Sequence, residues 1–449
     1  MGKKENEERE EKELDAVREA IKSKKLRWKA AKTNVTRMSE EDQKNLLGAL
    51  IEDDKLKRIL KRQEEKEKKR ERASSEGEAV DPPPEWDWRN VAGDDWTTPI
   101  KNQSLCGSCG SCVAFSVVAA LEMMVKRWMY NNPAVTPDFS EAQLYFCNNR
   151  SCTRFEPNYG WWIDQALDVL KADGVPDECC YPYAAGPTQP CDPCDDWRER
   201  VTKIKDWQRI TDITTMKKLL SEHGCLIANF VVYRDFNSYV GGIYEHAWGD
   251  YRGNHAVTVV GYDDVDECWI CKNSWGPCWG EAKPGQPLPN PAGWFRIAYD
   301  ECGIDDEMYA IELLCPAEVS AATIGVDETT TQMVREFRDK LLTTRRGRAY
   351  LSRAARDIGA VTRVLRVLKT DPKIRDEAAK ALQPFIAAIR TRDTKRPLKL
   401  EEEHFKAARS VLDQVAKVDP KLAPIVKRIK EEMPRYVGKD LTQILQELQ

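Results

Sequence analysis

Apolar positions along the 449-residue chain fall into three regimes. In residues 1–80 they are sparse. Ile21, Leu26, Trp28 and Ala31 form a first patch. Ser39-Glu40-Glu41-Asp42 then has the form of a helix-starting capping box. Leu46, Leu47, Leu50, Ile51 and Leu56 follow at helical spacing, which predicts a helix running on from Ser39. Residues 61–80 return to Lys/Glu and then Ser/Gly/Glu, the pattern of a linker, and Pro82-Pro83-Pro84 closes it.

Residues 81–315 mix two periods. Val113–Arg127 has the length and pattern of a buried helix, broken only by Glu122. Ala256–Val260 and Trp269-Ile270-Cys271 are β-branched or aromatic runs that read as strands, with Gly253-Asn254 and Gly276-Pro277 as turns. The last 134 residues look all-helical. Val361, Val364, Leu365 and Leu368 share one face, as do Ile374, Ala378, Leu382, Phe385 and Ile389, then Phe405, Ala408, Leu412 and Val415. Asp371-Pro372 and Asp419-Pro420 punctuate these stripes, so an antiparallel helical bundle is expected. No apolar run reaches 18 residues, so no transmembrane span is expected.

Charge and cysteine usage sharpen the division. The net charge of −4 resolves into +3 for residues 1–80, −16 for 81–315 and +9 for 316–449. All 15 cysteines lie between Cys106 and Cys315, and 13 of the 14 tryptophans fall between residues 81 and 315. Three parts follow: a charged N-terminal segment (1–80), a cysteine-rich α+β domain (81–315) and an α-helical bundle (316–449). The basic residues of the bundle are spread along its helices without interleaved aromatics, so no nucleic-acid binding is expected. The start, Met1-Gly2-Lys3-Lys4-Glu5, leads into no apolar stretch, so no signal peptide is visible. By sequence that suits the cytoplasm, whereas the cysteine density suits an oxidising compartment.

One constellation carries chemistry. In Gln103-Ser104-Leu105-Cys106-Gly107-Ser108-Cys109-Gly110-Ser111-Cys112-Val113-Ala114-Phe115-Ser116 a small, flexible segment runs into an apolar helix, with a cysteine at the junction. A thiol there meets unpaired N–H groups and the positive end of the helix dipole, which favour the thiolate. The same N–H groups can hold an oxyanion. Such a nucleophile needs a base. His255, between a Gly-Asn turn and the strand Ala256–Val260, can be held rigidly. Asn273, in Lys272-Asn273-Ser274-Trp275-Gly276, can fix one imidazole nitrogen so that the other faces the thiol.

Residues 81–315 resemble a papain-family cysteine protease. The matching pieces are Trp86-Asp87-Trp88-Arg89, Pro99–Gln103, Cys109–Ser116, Phe139–Leu144, Tyr181-Pro182-Tyr183, Asn254–Val257, Gly261-Tyr262 and Lys272–Glu281. His255 and Asn273 follow Cys112 by 143 and 161 residues. The resemblance implies a helical lobe, a β-barrel-like lobe and a groove between them, with peptide bonds hydrolysed through an acyl-enzyme. It implies Cys112 as nucleophile, His255 as base, Asn273 as orienting amide and Gln103 as oxyanion donor. Trp275 would shield the Asn–His bond beside the groove, and Gly160 matches the last glycine of the substrate-backbone strip. It also implies disulfides between Cys109 and Cys152 and between Cys147 and Cys191 or Cys194. Cys302 lacks its usual partner, so it is either unpaired or re-paired, with Cys225, Cys268 or Cys278 as candidates.

The chain departs from the family in four places. The Cys-Gly-Ser triplet is duplicated, so two cysteines compete. Cys112 is favoured because the helix-forming Val-Ala-Phe-Ser follows it directly, and the extra residues are then expected to bulge near 104–108. Val113 stands where most relatives have tryptophan. Tyr159 replaces a glycine and is expected to narrow the groove. A proline-rich insertion, Ala282–Ala292, follows Trp279. No metal or other cofactor is expected: some cysteines have zinc-like spacing, but Cys268 and Cys271 in one strand face opposite sides.

The expected activity is that of an endopeptidase acting on polypeptides. The alternatives are an exopeptidase of the same fold, such as the bleomycin-hydrolase type, or an inactive binding protein on it. Residues 1–80 are the candidate prosegment and intramolecular inhibitor. The bundle is expected to be a regulatory or protein-partner-binding domain.

Overall fold

The computed structural model describes residues 3–70, 83–105, 107–130, 133–184, 189–282, 293–313, 364, 367–368, 370–391, 397–440 and 442–444. The chain divides into two compact units. One holds Met1–Lys126, Thr136–Trp197 and Val201–Leu313; the other holds Arg127–Val135, Arg198–Arg200 and Leu314–Gln449. Cys106, Cys315, Val361, Leu365 and residues 283–292 of the proline-rich insertion lie outside the described residues.

In the first unit, α4 (Cys112–Met124) is buried along its whole length. That is what its unbroken apolar sequence dictates: no face of it can be left to water. Glu122 does not break the burial because its carboxylate is matched. Lys101 Nζ lies 2.7 Å and Thr98 Oγ1 2.9 Å from it. Helices α5 (Glu141–Phe146) and α6 (Ile163–Ala172) pack on α4. Three disulfides, Cys109–Cys152, Cys147–Cys191 and Cys180–Cys194, staple this helical half.

The β half is one open sheet. It is built from β1 (Trp28–Ala30), β2 (Glu85–Asp87), β3 (Ile204–Ile210), β4 (Leu226–Tyr233), β5 (Tyr239–Tyr244), β6 (Tyr251–Asp263), β7 (Cys268–Lys272), β8 (Trp294–Ala298) and β9 (Met308–Leu313). The order is β1-β5-β8-β7-β6-β4-β9-β3, with β2 on β6, and the path does not close into a barrel among the described residues. Helix α7 (Ile213–Glu222) packs against β6 and β4. Phe230, Phe236, Tyr239, Tyr244, Trp275, Trp279 and Phe295 form the aromatic core, each essentially inaccessible. Their tight edge and tilted contacts, 4.8–5.9 Å between the rings around Phe236 and Trp279, fix the loop that carries Trp275.

The N-terminal segment is folded onto this unit through α1 (Lys3–Ser23), β1, α2 (Glu40–Lys44) and α3 (Asp53–Arg70). β1 adds an edge strand to the sheet, with Trp28 opposite Gly242. Trp28 is buried against Tyr244 and Tyr239, and its Nε1 donates to Glu245 O at 2.9 Å. An anchor of that size contributes about 2–3 kcal/mol. Ser39 does cap a helix, accepting from Asp42 N, but α2 ends at Lys44. The helix expected to run on from Ser39 is therefore interrupted between Lys44 and Asp53, and only Leu56 of the five apolar positions is helical, within α3. Tertiary pairing overrides local spacing: Leu50 N donates to Trp161 O at 2.9 Å, Trp161 N to Gly48 O at 2.8 Å, and Ala49 N to Asn254 O at 3.3 Å. Nor is 61–70 a linker, since α3 carries buried Gln63 onto buried Glu301, 2.5 Å apart.

The second unit contains α8 (Pro372–Thr391), α9 (Glu402–Val418) and α10 (Ala423–Glu432). The Asp-Pro breaks fall at the helix boundaries, as expected from the loss of an N–H donor at proline. One core joins Leu368, Ile374, Ala378, Val415 and Val426, and another joins Ala388, Leu400 and Phe405. Two results differ from the sequence expectation. Lys399–Leu400 and Lys439–Asp440 form a short antiparallel pair, β10 and β11, so the segment is not all-helical. Leu382, on the expected apolar stripe, is 38% exposed.

Candidate functional site

Helix α4 opens on Cys112, the helix's first residue, capped by Ser111 in a non-helical conformation. Of the two competing cysteines, Cys109 is consumed in the bond to Cys152, whereas Cys112 is a free thiol. On either side of Cys106, Leu105 is 64% exposed and Gly107 has φ +140°. Gln103 N donates to Ser274 O at 2.9 Å, and Ser274 Oγ donates to Gln103 Oε1 at 2.7 Å. Gln103 Nε2 donates to Cys109 O at 2.7 Å and to Leu46 O at 3.1 Å.

His255 and Asn273 meet because β6 and β7 are antiparallel neighbours in the register Thr258–Lys272. That register puts a residue three before Thr258 and one just past Lys272 at the same end of the sheet. His255 Nε2 lies 2.7 Å from Asn273 Oδ1. The Trp275 ring covers the pair, 4.8 Å from the imidazole, and is fully buried. An apolar cover keeps water from competing for that hydrogen bond. Helix α4 joins the same strand, with Thr258 Oγ1 donating to Ser116 O at 3.1 Å. Sequence-distant Gln103, Cys112, His255, Asn273 and Trp275 thus converge at one place, and all five are buried.

What buries them is the N-terminal segment. Leu46–Leu50 lies along the groove, and the backbone amides of Gly48 and Ala49 reach the Cys112 thiol. Burial is the larger effect on that thiol and pushes its pKa above the ordinary range, while those amides pull the other way. Burial also depresses His255 to about 4, against the hydrogen bond to Asn273. In this covered state thiol and imidazole are both neutral.

Trp161 supplies the N–H and C=O that hold the groove segment, pairing in parallel with Ala49. Gly160 (φ +68°) lies beside it, where a Cβ would overlap the Gly48 carbonyl. The Tyr159 ring packs on Gly110, and its hydroxyl meets the carbonyls of Asn45, Leu47 and Lys44 at 3.1, 3.3 and 3.4 Å. Ser274 and Trp161 were not among the residues singled out from sequence. Trp161's adjacency to Gly160 pointed toward it, and Ser274 lay within the matched Lys272–Glu281 stretch without a role of its own. Cys109, Cys191 and Cys194 are disulfide-bonded, which removes three thiols from the zinc-like spacings.

Residues 82–311 match the family model described as papain family cysteine protease. The chain is 34% identical over 220 residues to cathepsin B-like CP2 of Giardia intestinalis, covering 45% of this chain and 67% of that one. It is 33% identical over 250 residues to cathepsin B-like CP1 of the same organism, covering 53% and 76%. Among solved structures it is similar to digestive procathepsin L2 proteinase from Tenebrio molitor larval midgut, at 22% identity and TM-score 0.50, covering 68% of this chain and 90% of that one. With more than half of its length matched, the chain belongs to the papain family of cysteine proteases.

Proposed function

We propose that this chain is an endopeptidase held as a zymogen by its own N-terminal segment. The observation that carries this is the segment Leu46–Leu50, threaded through the groove over a helix-initial thiol and a paired His–Asn. Once the segment leaves, water returns to Cys112 and His255, and the desolvation that keeps both neutral is relieved. Proton transfer from Cys112 Sγ to His255 then gives a thiolate at the helix N-terminus. The thiolate attacks the peptide carbonyl. The developing oxyanion is met by Gln103 Nε2, which now donates to the Leu46 carbonyl. His255 returns the proton to the leaving amine, and water, deprotonated by His255, releases the acyl group. Asn273 holds the imidazole in the tautomer that leaves Nδ1 for the thiol, and Trp275 keeps that bond dry. The backbone of Trp161 takes the substrate chain.

Cleavage within a chain, rather than at its end, is supported by the groove's present occupant. A continuous chain enters from α2 and leaves into α3 without a terminus at the thiol. The N-terminal helical bundle of contacts adds ion pairs of both signs, including Lys55–Glu307 at 2.6 Å and Arg234–Glu40 at 2.7 Å.

The test is to react the full chain, before and after cleavage ahead of residue 83, with an epoxide thiol-protease inhibitor and to map the adduct. An adduct on Cys112 that appears on cleavage is expected, together with internal cutting of peptides blocked at both ends. No adduct on Cys112 would sink the proteolytic reading in favour of an inactive binding protein. Cutting confined to free peptide ends would convert it to an exopeptidase.

A further inference from the structure

Helix α3 is seated on the protease domain by contacts of its own. Its seat is the connection between β8 and β9, where Asp300, Glu301, Asp305, Asp306 and Glu307 place five carboxylates within eight residues. Lys55, Ile59, Arg62, Gln63, Lys66 and Glu67 recur at helical spacing, so one face of α3 carries them all. Lys55 Nζ lies 2.6 Å from Glu307 Oε1. Arg62 bonds Asp306 and lies 3.2 Å from Asp300. Lys66 Nζ donates to Asp300 O at 2.7 Å and lies 3.1 Å from Glu301 Oε2. Ile59 is buried against Gly303, so closely that a Cβ on Gly303 would come within 2.9 Å of it. Gln63 makes two bonds at the centre of this face. Its Nε2 donates to Glu301 Oε1 at 2.5 Å, and its Oε1 accepts from Cys302 N at 3.1 Å. Glu67 Oε1 lies 3.4 Å from His246 Nε2.

Leu46–Leu50 is held differently, by the backbone of Trp161 and Asn254. The partners of α3 are a separate set, and the two holds are joined by Glu52, Asp53 and Asp54, which are all exposed. We propose that α3 remains on the domain as a bound helix after the chain is cut at Glu52–Asp54 and ahead of residue 83, so that the groove opens without α3 leaving. An extended chain entering the groove takes over the hydrogen bonds of Leu46–Leu50 but offers nothing to the 300–307 connection. Departure of α3 would return Ile59 to water and take the Gln63 amide and the Lys66 ammonium away from Glu301, a fully buried carboxylate. The surface fits a cationic helix with an amide at the middle of its docking face, and α3 is that helix. Its Lys, Arg, Glu and Leu are strong helix formers, which lowers the cost of ordering a cut fragment.

The experiment uses the full chain carrying recognition sites for an external, site-specific protease at Glu52–Asp54 and ahead of residue 83. After both cuts the protein is gel-filtered without denaturant, and the domain peak is read by intact mass. The α3 fragment is expected in that peak at close to one copy per domain. Gln63→Glu sets a second carboxylate against Glu301, and Ile59→Ala removes the apolar contact with Gly303. Each is expected to lose the fragment on dilution about 10-fold faster or more, because these contacts set the dissociation rate. Circular dichroism of the uncut chains shows that both variants fold, and if Gln63→Glu does not, Ile59→Ala decides. Elution of the wild-type fragment apart from the domain overturns the proposal, as does equal retention in every folded variant. The readout is mass without substrate, so the outcome is decided separately from the proteolytic reading.

Discussion

At the residue scale the site is a set of mutually constraining polar atoms in a dry place. Asn273 Oδ1 accepts from His255 Nε2, so its loss frees the ring to rotate. Asn273→Ala is expected to lower kcat of the cleaved enzyme by about 10- to 100-fold with KM little changed, as misplacement of a reacting group predicts. Steady-state kinetics on one peptide decides it, and an unchanged kcat would remove Asn273 from the orienting role. His255 makes a second prediction. Its pKa in the covered state, about 4, lies below the ordinary 6.5. Between those values an uncovered imidazole binds a proton that the covered one does not. Docking of the segment is therefore strongest above about pH 6.5 and weakens as the pH falls toward 4, by up to about 3 kcal/mol. Hydrogen exchange at the amides of Gly48 and Leu50, corrected for intrinsic rate, should accelerate across that window. A flat profile would show that the segment contributes little to the burial of His255.

At the element scale the decisive piece is the turn-and-extended stretch between α2 and α3. Its leucines, at helical spacing, suggested a helix, yet Leu46 and Leu47 bury themselves in the groove and the backbone pairs with Trp161 and Asn254 instead. A helix would satisfy its own N–H and C=O groups and leave those of Trp161 unpaired under the segment, so the extended form wins only in the presence of the groove. Gly48 is the residue that permits the approach. Gly48→Ala places a methyl group against the Gly110 carbonyl, an overpacking worth about 1–3 kcal/mol, so Cys112 in the uncleaved chain should label about 5- to 150-fold faster. Rapid-quench labelling measures it, and an unaltered rate would mean that the segment does not close the site. On the other side, β6 and β7 were legible from composition, and their pairing delivers His255 to Asn273 with no further device.

For the whole molecule, cysteine placement and charge placement have different weight. Among the described residues, six cysteines are disulfide-bonded, all in the helical half, closing loops of 43, 44 and 14 residues. A loop of the longer size restricts the unfolded chain by about 4 kcal/mol. At least six cysteines should therefore resist alkylation in denaturant until a reductant is added. Alkylation of all 15 without reductant, read by intact mass, would contradict the bridges. The overall charges of +3 and −16 agree with docking of the N-terminal segment, but the contacts pair both signs, as in Arg62–Asp300 and Arg234–Glu13, so net charge does not account for the fit. The sequence by itself determined the family, because its motifs are short stretches whose chemistry is local: a cysteine at a helix start, a histidine before a β-branched run, an asparagine followed by Ser-Trp-Gly; the Gly253-Asn254 turn expected before that histidine is instead part of β6. It also determined the Cys109–Cys152 bridge through that resemblance, and the helix boundaries at Asp371-Pro372 and Asp419-Pro420, where proline cannot continue the backbone ladder. Only the tertiary structure decided which backbone holds the groove segment, that residues 46–50 leave the helical state, and that the Tyr159 hydroxyl meets that segment's carbonyls. Those outcomes depend on pairings between residues 100 or more positions apart, which no local pattern of apolar and polar residues encodes.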